Sequence, residues 1–358
     1  MRFFILPLVL STLITFVVMR LFDVSRLWQR HASPAHPQAL HHAPTPRIGS
    51  IGIGLAALAG WLQVHVGLQS SHGPITWVTL GVMLAASVGL VEDLSNRVSV
   101  GMRLVVVALA ACAVIPAEGL LLQRTDMPWL DALLAWSPAL AIALTVFTIT
   151  GITNAFNIID GLNGLASACA MIILVGLGYA GYLVNDLWLA AMAVVAIGAI
   201  AGFFVWNFPG GFIFLGDGGA YLCGFVVATL SLLLIGRNPG EISPLYPLLL
   251  CIYPVAETIF SIYRRGLKRR PVSKPDRGHL HSLLFRRIDA RLTRRLGLRQ
   301  RRNSGTAPYL WALCLGSAVP AVMFYQHFWA LAVSIVVFVL IYLDLYRRIV
   351  QFKTPRWL

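Results

Sequence analysis

Four acidic side chains lie in unusual surroundings in a chain of 358 residues that is otherwise strongly apolar. Asp160 and Asp217 each precede a glycine, in NIIDGLNG and FLGDGGAY, and Glu92 and Asp93 are adjacent in GLVEDLSNR. Carboxylates without neighbouring cysteine or histidine ligands suit a hard cation such as Mg²⁺, which completes its shell with substrate phosphates. These residue types indicate phosphoryl-transfer chemistry, in which positioning and charge neutralisation do most of the work.

Amide side chains accompany the acids at a regular spacing. In NAFNIIDGLNGL, polar groups recur every three residues, at Asn154, Asn157, Asp160 and Asn163. If this stretch is helical, each step of three turns the side chain by about 300°, and the first three groups span roughly 9 Å along the helix. Such a face suits an extended polar ligand more than one ion, although a polar seam between two helices would give the same pattern.

Cationic and glycine-rich segments complete the set of candidates. Arg47 in TPRIGS and the basic residues of KPDRGHLHSLL, namely Arg277, His279 and His281, could meet phosphate charge. The stretch FPGGFIFLGDGGA surrounds Asp217 with glycines but lacks the Lys-Ser/Thr ending of a P-loop. It could present backbone amides and one carboxylate to a metal–diphosphate complex at a helix N-terminus, and a simple tight turn is an equally good interpretation.

The elements that must position these residues are membrane helices. With 58% hydrophobic and 12% charged side chains, the chain has too few polar groups to cover a soluble globule. We predict an all-α, polytopic membrane helix bundle that forms a single domain over residues 1–358, with about eleven spans of roughly 20 residues. The predicted spans are 3–22, 48–67, 75–91, 103–117, 137–153, 164–183, 187–206, 218–236, 244–262, 308–325 and 328–346, and residues 116–136 could add a short helix.

The distribution of Lys and Arg predicts the orientation. With the N-terminus outside and the C-terminus in the cytoplasm, all Lys and Arg except Arg2, Arg124 and Arg237 fall on the cytoplasmic side. The four acids then share that face, and the net charge of +14 faces an anionic leaflet without calling for nucleic acid. We expect a basic cytoplasmic loop and a surface amphipathic helix within residues 263–307.

Five segments together resemble the polyprenyl-phosphate N-acetylhexosamine-1-phosphate transferase family, glycosyltransferase family 4, over most of the chain. The family's Thr-Pro-Arg, Asp-Asp, Asn-X-X-Asn-X-X-Asp-Gly, Phe-X-Gly-Asp and His-X-His motifs are matched by TPRIGSIGI (45–53), VEDLSNR (91–97), NAFNIIDGLNGLA (154–166), NFPGGFIFLGDGGA (207–220) and RGHLHSL (277–283). Each motif alone is modest evidence, but five in order on one predicted face are specific.

The resemblance implies a Mg²⁺-dependent phosphoglycosyltransferase, with Mn²⁺ as an alternative cofactor. It would transfer a sugar-1-phosphate, expected to be N-acetylhexosamine-1-phosphate, from a UDP-amino sugar to undecaprenyl phosphate. UMP would be released, and the lipid product would start a surface polysaccharide such as lipopolysaccharide O-antigen. The resemblance also implies a multi-pass protein of the bacterial inner membrane with its active site on the cytoplasmic face, and the lipid-facing surfaces leave room for a homodimer.

Motif position assigns roles to individual residues. Asp217 would be the principal magnesium ligand, Asp93 would deprotonate the acceptor phosphate or support the metal, and Glu92 and Asp160 are further candidate catalytic residues. The implied substrate-binding residues are Arg47, Asn154, Asn157, Asn163, Asn207, Arg277, His279 and His281.

Three positions depart from the family pattern. Glu92 replaces the first Asp of the Asp-Asp pair, Asn163 stands where many relatives have Asp, and Ser50 occupies a position often held by glycine. The loop at 271–283 also lacks the consecutive histidines of the muramoyl-pentapeptide enzymes. We therefore expect an amino-sugar donor instead of a muramoyl-pentapeptide donor.

Two other classes of membrane protein share part of this pattern. A polytopic transporter with a cytoplasmic-facing acidic site would have similar spans, but its charged breaks are expected near the bilayer midplane. An intramembrane aspartyl protease would pair two acids in facing spans, as Asp160 and Asp217 could. A protease gives no reason for the asparagine row or for the His-X-His loop.

Overall fold

The computed structural model describes residues 2–24, 45–68, 72–267, 278–287 and 303–351, and the regular elements among them are helical. We number the α-helices in chain order. They are α1 Arg2–Val24, α2 Gly49–Leu68, α3 His72–Ser95, α4 Val100–Val114, α5 Pro128–Trp136, α6 Pro138–Ile159, α7 Leu165–Leu183, α8 Leu187–Asn207, α9 Gly216–Arg237, α10 Leu245–Leu250, α11 Ile252–Leu267, α12 280–287, α13 Ala307–Met323 and α14 Phe328–Val350. A short 3₁₀ turn, Asn303–Thr306, precedes α13.

The predicted all-α membrane architecture is confirmed. Nine helices within the described ranges are long and apolar enough to cross a membrane. The predicted fourth span is α4, which has only 15 residues, and the predicted ninth span is divided into α10 and α11. The short extra helix expected within 116–136 is α5. The count of eleven spans and the orientation of the termini stay predictions, and most of the expected basic loop and amphipathic helix at 263–307 lies outside the described residues.

Helix α9 is the central helix of the bundle. Nearly all of its side chains from Gly216 to Ile235 are buried, and α2, α3, α6 and α7 pack around it. A helix that is apolar on all sides is stable only when it is surrounded in this way. Asp217 lies in the first turn of this helix, so the most buried element of the protein also positions one of the predicted site carboxylates.

Several helix ends converge at one end of the bundle, which we call the polar end. The segment 45–48, before α2, joins the loop before α9 through backbone bonds from Phe214 N–H to the Pro46 carbonyl (2.8 Å) and from Gly49 N–H to the Phe214 carbonyl (3.1 Å). The C-terminal ends of α3 and α6 lie beside the same loop. All four predicted carboxylates therefore lie at the polar end, which is the end that the sequence predicts to be cytoplasmic.

A different set of charges occupies the opposite end. Arg237, at the end of α9, pairs with Asp186 between α7 and α8 (2.7 Å) and lies over the Trp188 ring. Phe3 of α1 packs near Gly67 at the end of α2, which places the start of α1 at this end too. The separation of the two charged ends agrees with helices that alternate in direction.

Candidate active site

The N-terminus of α9 is capped by a carboxylate from another helix. Asp93, near the end of α3, accepts hydrogen bonds from the N–H groups of Asp217 (3.0 Å to Oδ1) and Gly218 (2.9 Å to Oδ2). The first amides of a helix have no partner within it, and an anion there is also favoured by the helix dipole. Asp93 is only 7% exposed, and both of its oxygens are used in holding α9 in place.

Glycines make this close approach feasible. A Cβ atom added at Gly89 of α3 would lie 2.4 Å from the nitrogen of Gly218. A Cβ atom at Gly216, whose φ is +73°, would lie 2.5 Å from Oδ2 of Asp93 and 2.5 Å from the Arg47 carbonyl oxygen. Side chains at these two positions would separate α3 from α9, which explains the glycines in GLVED and LGDGG.

The Asp217 side chain points to a polar cluster formed by three helices. Asn157 of α6 donates to Oδ1 of Asp217 (2.8 Å), and Arg103 of α4 forms an ion pair with Oδ2. The Asp217 side chain keeps 27% of its surface exposed, whereas that of Arg103 keeps 14%. Sequence reasoning counted Arg103 only as a cytoplasmic charge. The sequence feature that could have indicated its place in the site was its position shortly after Asp93, across a short turn.

Glu92 organises that turn. Its Oε2 atom accepts a hydrogen bond from Val98 N–H (2.7 Å), and the Ser99 side chain accepts from Met102 N–H at the start of α4. These bonds fix the chain between α3 and α4, and thereby the helix that carries Arg103. The structure thus places Glu92 beside the cluster, where it supports the backbone.

The asparagine row is helical only in part, which corrects the expectation of a continuous stripe. Helix α6 ends at Ile159, and Asp160 follows as its C-cap residue. Asn154 and Asn157 therefore share α6, with Asn154 partly buried. Asn163 lies in the turn beyond the helix, and Gly164, whose φ is +75°, follows it as the N-cap residue of α7.

Asp160 is an acid held in an unfavourable environment. Burial removes water from the Asp160 carboxylate and raises its pKa to about 7, and the nearby Arg47 guanidinium opposes that increase. Arg47 itself is exposed, in the segment that is docked on the loop before α9. The site thus contains a carboxylate that is poised to change charge near neutral pH.

Asn163 and Asn207 are buried where two loops meet. Asn207 accepts from Gly164 N–H (2.6 Å) and donates to the Ile213 carbonyl (2.7 Å), so it joins the loop after α6 to the loop before α9. Asn163 packs against Gly211, where a Cβ atom would lie 2.3 Å from its Nδ2. These contacts indicate that both asparagines, predicted as substrate-binding residues, shape the loops around the site.

The His-X-His segment docks on the turn after α6. The rings of His279 and His281 stack in parallel, with centroids 5.4 Å apart and planes 3° apart. A Cβ atom added at Gly161 would lie 2.2 Å from Nε2 of His281, so this ring rests directly on the turn that follows Asp160. The structure therefore brings His279 and His281 beside the turn that carries Asp160, and their role in binding substrate stays a prediction. Arg277 lies outside the described residues.

The residues present fit a magnesium ion that is shared with a substrate. Within the described part of the chain, no group of three or more His, Cys, Asp and Glu side chains could enclose a metal by itself. Asp217 nevertheless presents a partly exposed carboxylate beside the Asn157 amide. Mg²⁺ commonly takes one or two protein carboxylates and completes its shell with phosphate oxygens and water. The arrangement therefore suits a metal–diphosphate complex, with Arg103 nearby to neutralise phosphate charge.

Comparison with known proteins identifies the family. The model of glycosyl transferase family 4 matches residues 75–235. A probable undecaprenyl-phosphate N-acetylglucosaminyl 1-phosphate transferase of Bacillus subtilis is 30% identical over 251 residues, which cover 69% of this chain and 67% of that protein. The chain belongs to glycosyl transferase family 4. Its family 4 relatives include an undecaprenyl-phosphate alpha-N-acetylglucosaminyl 1-phosphate transferase of Yersinia pestis, 27% identical over 65% of this chain and 66% of that protein.

The family 4 assignment confirms the resemblance drawn from the sequence. A phospho-N-acetylmuramoyl-pentapeptide-transferase of Streptococcus thermophilus matches over a shorter part, with 34% identity across 26% of this chain and 27% of that protein. The alignments span about two thirds of the first two relatives. The family 4 match contains Asp93, Asp160 and Asp217, whereas the His-X-His segment lies beyond it.

Proposed function

We propose that this protein transfers a sugar-1-phosphate from a UDP-amino sugar to undecaprenyl phosphate and releases UMP. The observation that carries the proposal is the cluster of Asp217, Asn157 and Arg103 at the start of the most buried helix, in a member of family 4. Both longer alignments are with proteins named as undecaprenyl-phosphate N-acetylglucosaminyl 1-phosphate transferases. Their names support N-acetylhexosamine-1-phosphate as the transferred group.

The reaction forms one P–O bond and breaks another. An oxygen of the acceptor phosphate attacks the phosphorus that carries the sugar, and UMP leaves with the electrons of the broken P–O bond. Because a phosphate monoester has its second pKa at about 6, the acceptor is largely dianionic at neutral pH and needs little help from a general base. The chain's main tasks are then to bind two anions close together and to neutralise their charge.

Named residues divide these tasks. Arg103 and Arg47 contribute positive charge, and Asn157 orients Asp217. Mg²⁺, held by Asp217 and phosphate oxygens, would supply further charge neutralisation. Both oxygens of Asp93 accept hydrogen bonds from backbone amides of α9. This bonding favours a role for Asp93 in positioning Asp217, instead of the proton transfer that its place in the motif suggested. We assign to the sugar-nucleotide site Asn154 of α6, Asp160 in the turn after α6, and His279 and His281, of which His281 packs on that turn.

The membrane setting follows from the two substrates. The lipid tail of the acceptor requires apolar surface between membrane helices, and the water-soluble sugar nucleotide requires an aqueous opening at the polar end. We therefore propose that the site faces the cytoplasm at a bacterial inner membrane, as the distribution of Lys and Arg along the sequence favours. The transporter alternative loses support because the four predicted site acids, Glu92, Asp93, Asp160 and Asp217, lie at one end of the bundle, away from its middle.

The first experiment is a UMP-release assay with the purified full chain. Undecaprenyl phosphate, Mg²⁺ and a panel of UDP-amino sugars would be supplied, and the assay repeated with EDTA and with Asp217→Asn. We expect release with one sugar nucleotide that depends on lipid, metal and Asp217. Absence of release across a panel that a family 4 relative uses would contradict the proposal, and release that persists in EDTA would remove the metal from it.

A further inference from the structure

One buried carboxylate lies outside the residues matched by the family model and is not among the predicted site residues. Glu257 lies within α11 and is 2% exposed. It accepts three hydrogen bonds, from Leu280 N–H (2.9 Å), from Nδ1 of His279 (3.0 Å) and from the Tyr342 hydroxyl of α14 (2.9 Å). A carboxylate so deeply buried is tolerable only when donors satisfy it, and these three donors come from two separate parts of the chain.

Two of these bonds fix the segment that carries the histidines. Leu280 N–H belongs to the first turn of α12, where amides lack partners within the helix. The preceding residue is held as well, since the Gly278 carbonyl accepts from Arg264 of α11 (2.5 Å) and from the Tyr346 hydroxyl of α14 (3.1 Å). The His-X-His segment is therefore clamped by α11 and α14 through buried, charge-assisted bonds.

The bond to Glu257 also determines which nitrogen of His279 carries a proton. A carboxylate can only accept, so Nδ1 of His279 donates to it. The ring is thereby fixed, and Nε2 is directed away from Glu257. His281 stacks in parallel on the fixed His279 ring, so its own ring plane is restrained as well, and this ring rests on Gly161 beside Asp160. Glu257 thus acts on the site through a chain of direct contacts.

We propose that Glu257, oriented by Tyr342, is a positioning residue that holds His279 and His281 in the geometry required to bind the diphosphate of the sugar nucleotide. This inference rests on the proposed function and extends it to α11 and α14, which no family motif covers. Helix α14 then helps to position the binding site, because Tyr342 bonds Glu257 and Tyr346 bonds the Gly278 carbonyl.

The test compares variants that remove bonds of the clamp. In Glu257→Leu, the side chain keeps roughly its size but loses both oxygens, so Nδ1 of His279 and Leu280 N–H lose the Oε1 atom that they share. We expect KM for the sugar nucleotide to rise about 10-fold or more, as is typical when a supporting partner of a binding histidine is lost. KM for undecaprenyl phosphate should change by less than about 2-fold, a difference worth under about 0.5 kcal/mol.

Two further variants separate positioning from folding. Tyr342→Phe keeps the carboxylate and removes one hydrogen bond, so we expect an intermediate rise of about 5-fold in KM for the sugar nucleotide. Glu257→Asp restores an acceptor and should recover part of the loss. Glu241→Gln, at an exposed position, is the matched control and should behave as the wild type.

A spectroscopic readout makes the test independent of turnover. In protein labelled with ¹⁵N-histidine, the His279 signals, assigned by comparison with His279→Gln, should report protonated Nδ1 in the wild type and a shift toward the Nε2-protonated tautomer in Glu257→Leu, where Nδ1 has lost its acceptor. A folded Glu257→Leu variant with unchanged tautomer and unchanged KM for the sugar nucleotide would overturn the inference. An equal rise in KM for both substrates, together with lower thermal stability, would also overturn it, because it would show a purely structural role. If the wild type turns over none of the substrates, the proposed function fails, while the tautomer still tests the clamp.

Discussion

Replacing Asp93 by asparagine distinguishes a helix cap from a catalytic base. Asparagine has the same shape but one acceptor oxygen, so one of the two amides, of Asp217 or Gly218, would lose its partner and face an NH₂ group. A buried donor left unpaired costs about 1–3 kcal/mol, and the loss of negative charge at the helix N-terminus adds up to about 2 kcal/mol. We therefore expect Asp93→Asn to lower the free energy of unfolding by about 2–4 kcal/mol.

The assay combines thermal unfolding in detergent with Mn²⁺ binding measured by electron paramagnetic resonance. Asp93→Asn should lower both the melting temperature and the Mn²⁺ affinity, because the start of α9 and its Asp217 side chain shift together. Asp217→Asn is the matched control, since it removes the metal ligand while leaving the cap in place. An Asp93→Asn protein with wild-type stability and Mn²⁺ affinity but no turnover would refute this reasoning and favour a catalytic base.

Three further predictions concern the other parts of the site. Gly161→Ala should displace His281 and raise KM for the sugar nucleotide by about 10-fold, whereas Gly151→Ala, where an added Cβ meets nothing within 4 Å, should leave KM unchanged. Arg103→Gln should weaken sugar-nucleotide binding by about 10-fold or more, measured by calorimetry, while tightening Mn²⁺ binding to Asp217 in the absence of nucleotide. Asp160→Asn should stabilise the protein more at pH 8 than at pH 5. Because the folded-state pKa of Asp160 is raised to about 7 from an ordinary value of 3.8, its ionisation above that range disfavours folding, by at most about 4 kcal/mol.

Each of these predictions has a contradicting outcome. Equal effects of the two glycine substitutions would show that His281 does not depend on the turn. Arg97→Gln is the control for Arg103, since Arg97 is exposed in the preceding turn, and equal effects would reduce Arg103 to a general surface charge. A stability difference between Asp160→Asn and the wild type that is constant from pH 5 to pH 8 would contradict the raised pKa.

The sequence predicted most of the architecture because long apolar runs leave a membrane chain few alternatives to helices. It did not predict the break in the ninth span, although LYPLLLCIYPV contains the signal. Pro254 has no N–H to continue the helical ladder, and α10 ends at Leu250, four residues earlier. Helix α4 was predicted with similar bounds, but its 15 residues rise only about 23 Å, less than the thickness of a hydrocarbon core.

The sequence also located the segments of the site but not the bonds between them. Motifs brought Asp93, Asp160 and Asp217 to one face, and the structure places all three at the polar end. Arg103 and Glu257 were missed because their importance depends on which helix packs opposite them, and residue spacing carries no such information. The orientation of Asp93 was hidden for the same reason, since only the packing of α3 on α9 directs its carboxylate to the backbone.

The most direct test of the central claim follows the phosphorus atom itself. The purified protein would be given a UDP-N-acetylhexosamine labelled with ³²P at the phosphate next to the sugar, together with undecaprenyl phosphate and Mg²⁺. Transfer of a sugar-1-phosphate predicts that the label enters the lipid while unlabelled UMP is released. Label that stays in the water-soluble nucleotide while sugar appears on the lipid would contradict the account, because it would show transfer of the sugar without its phosphate.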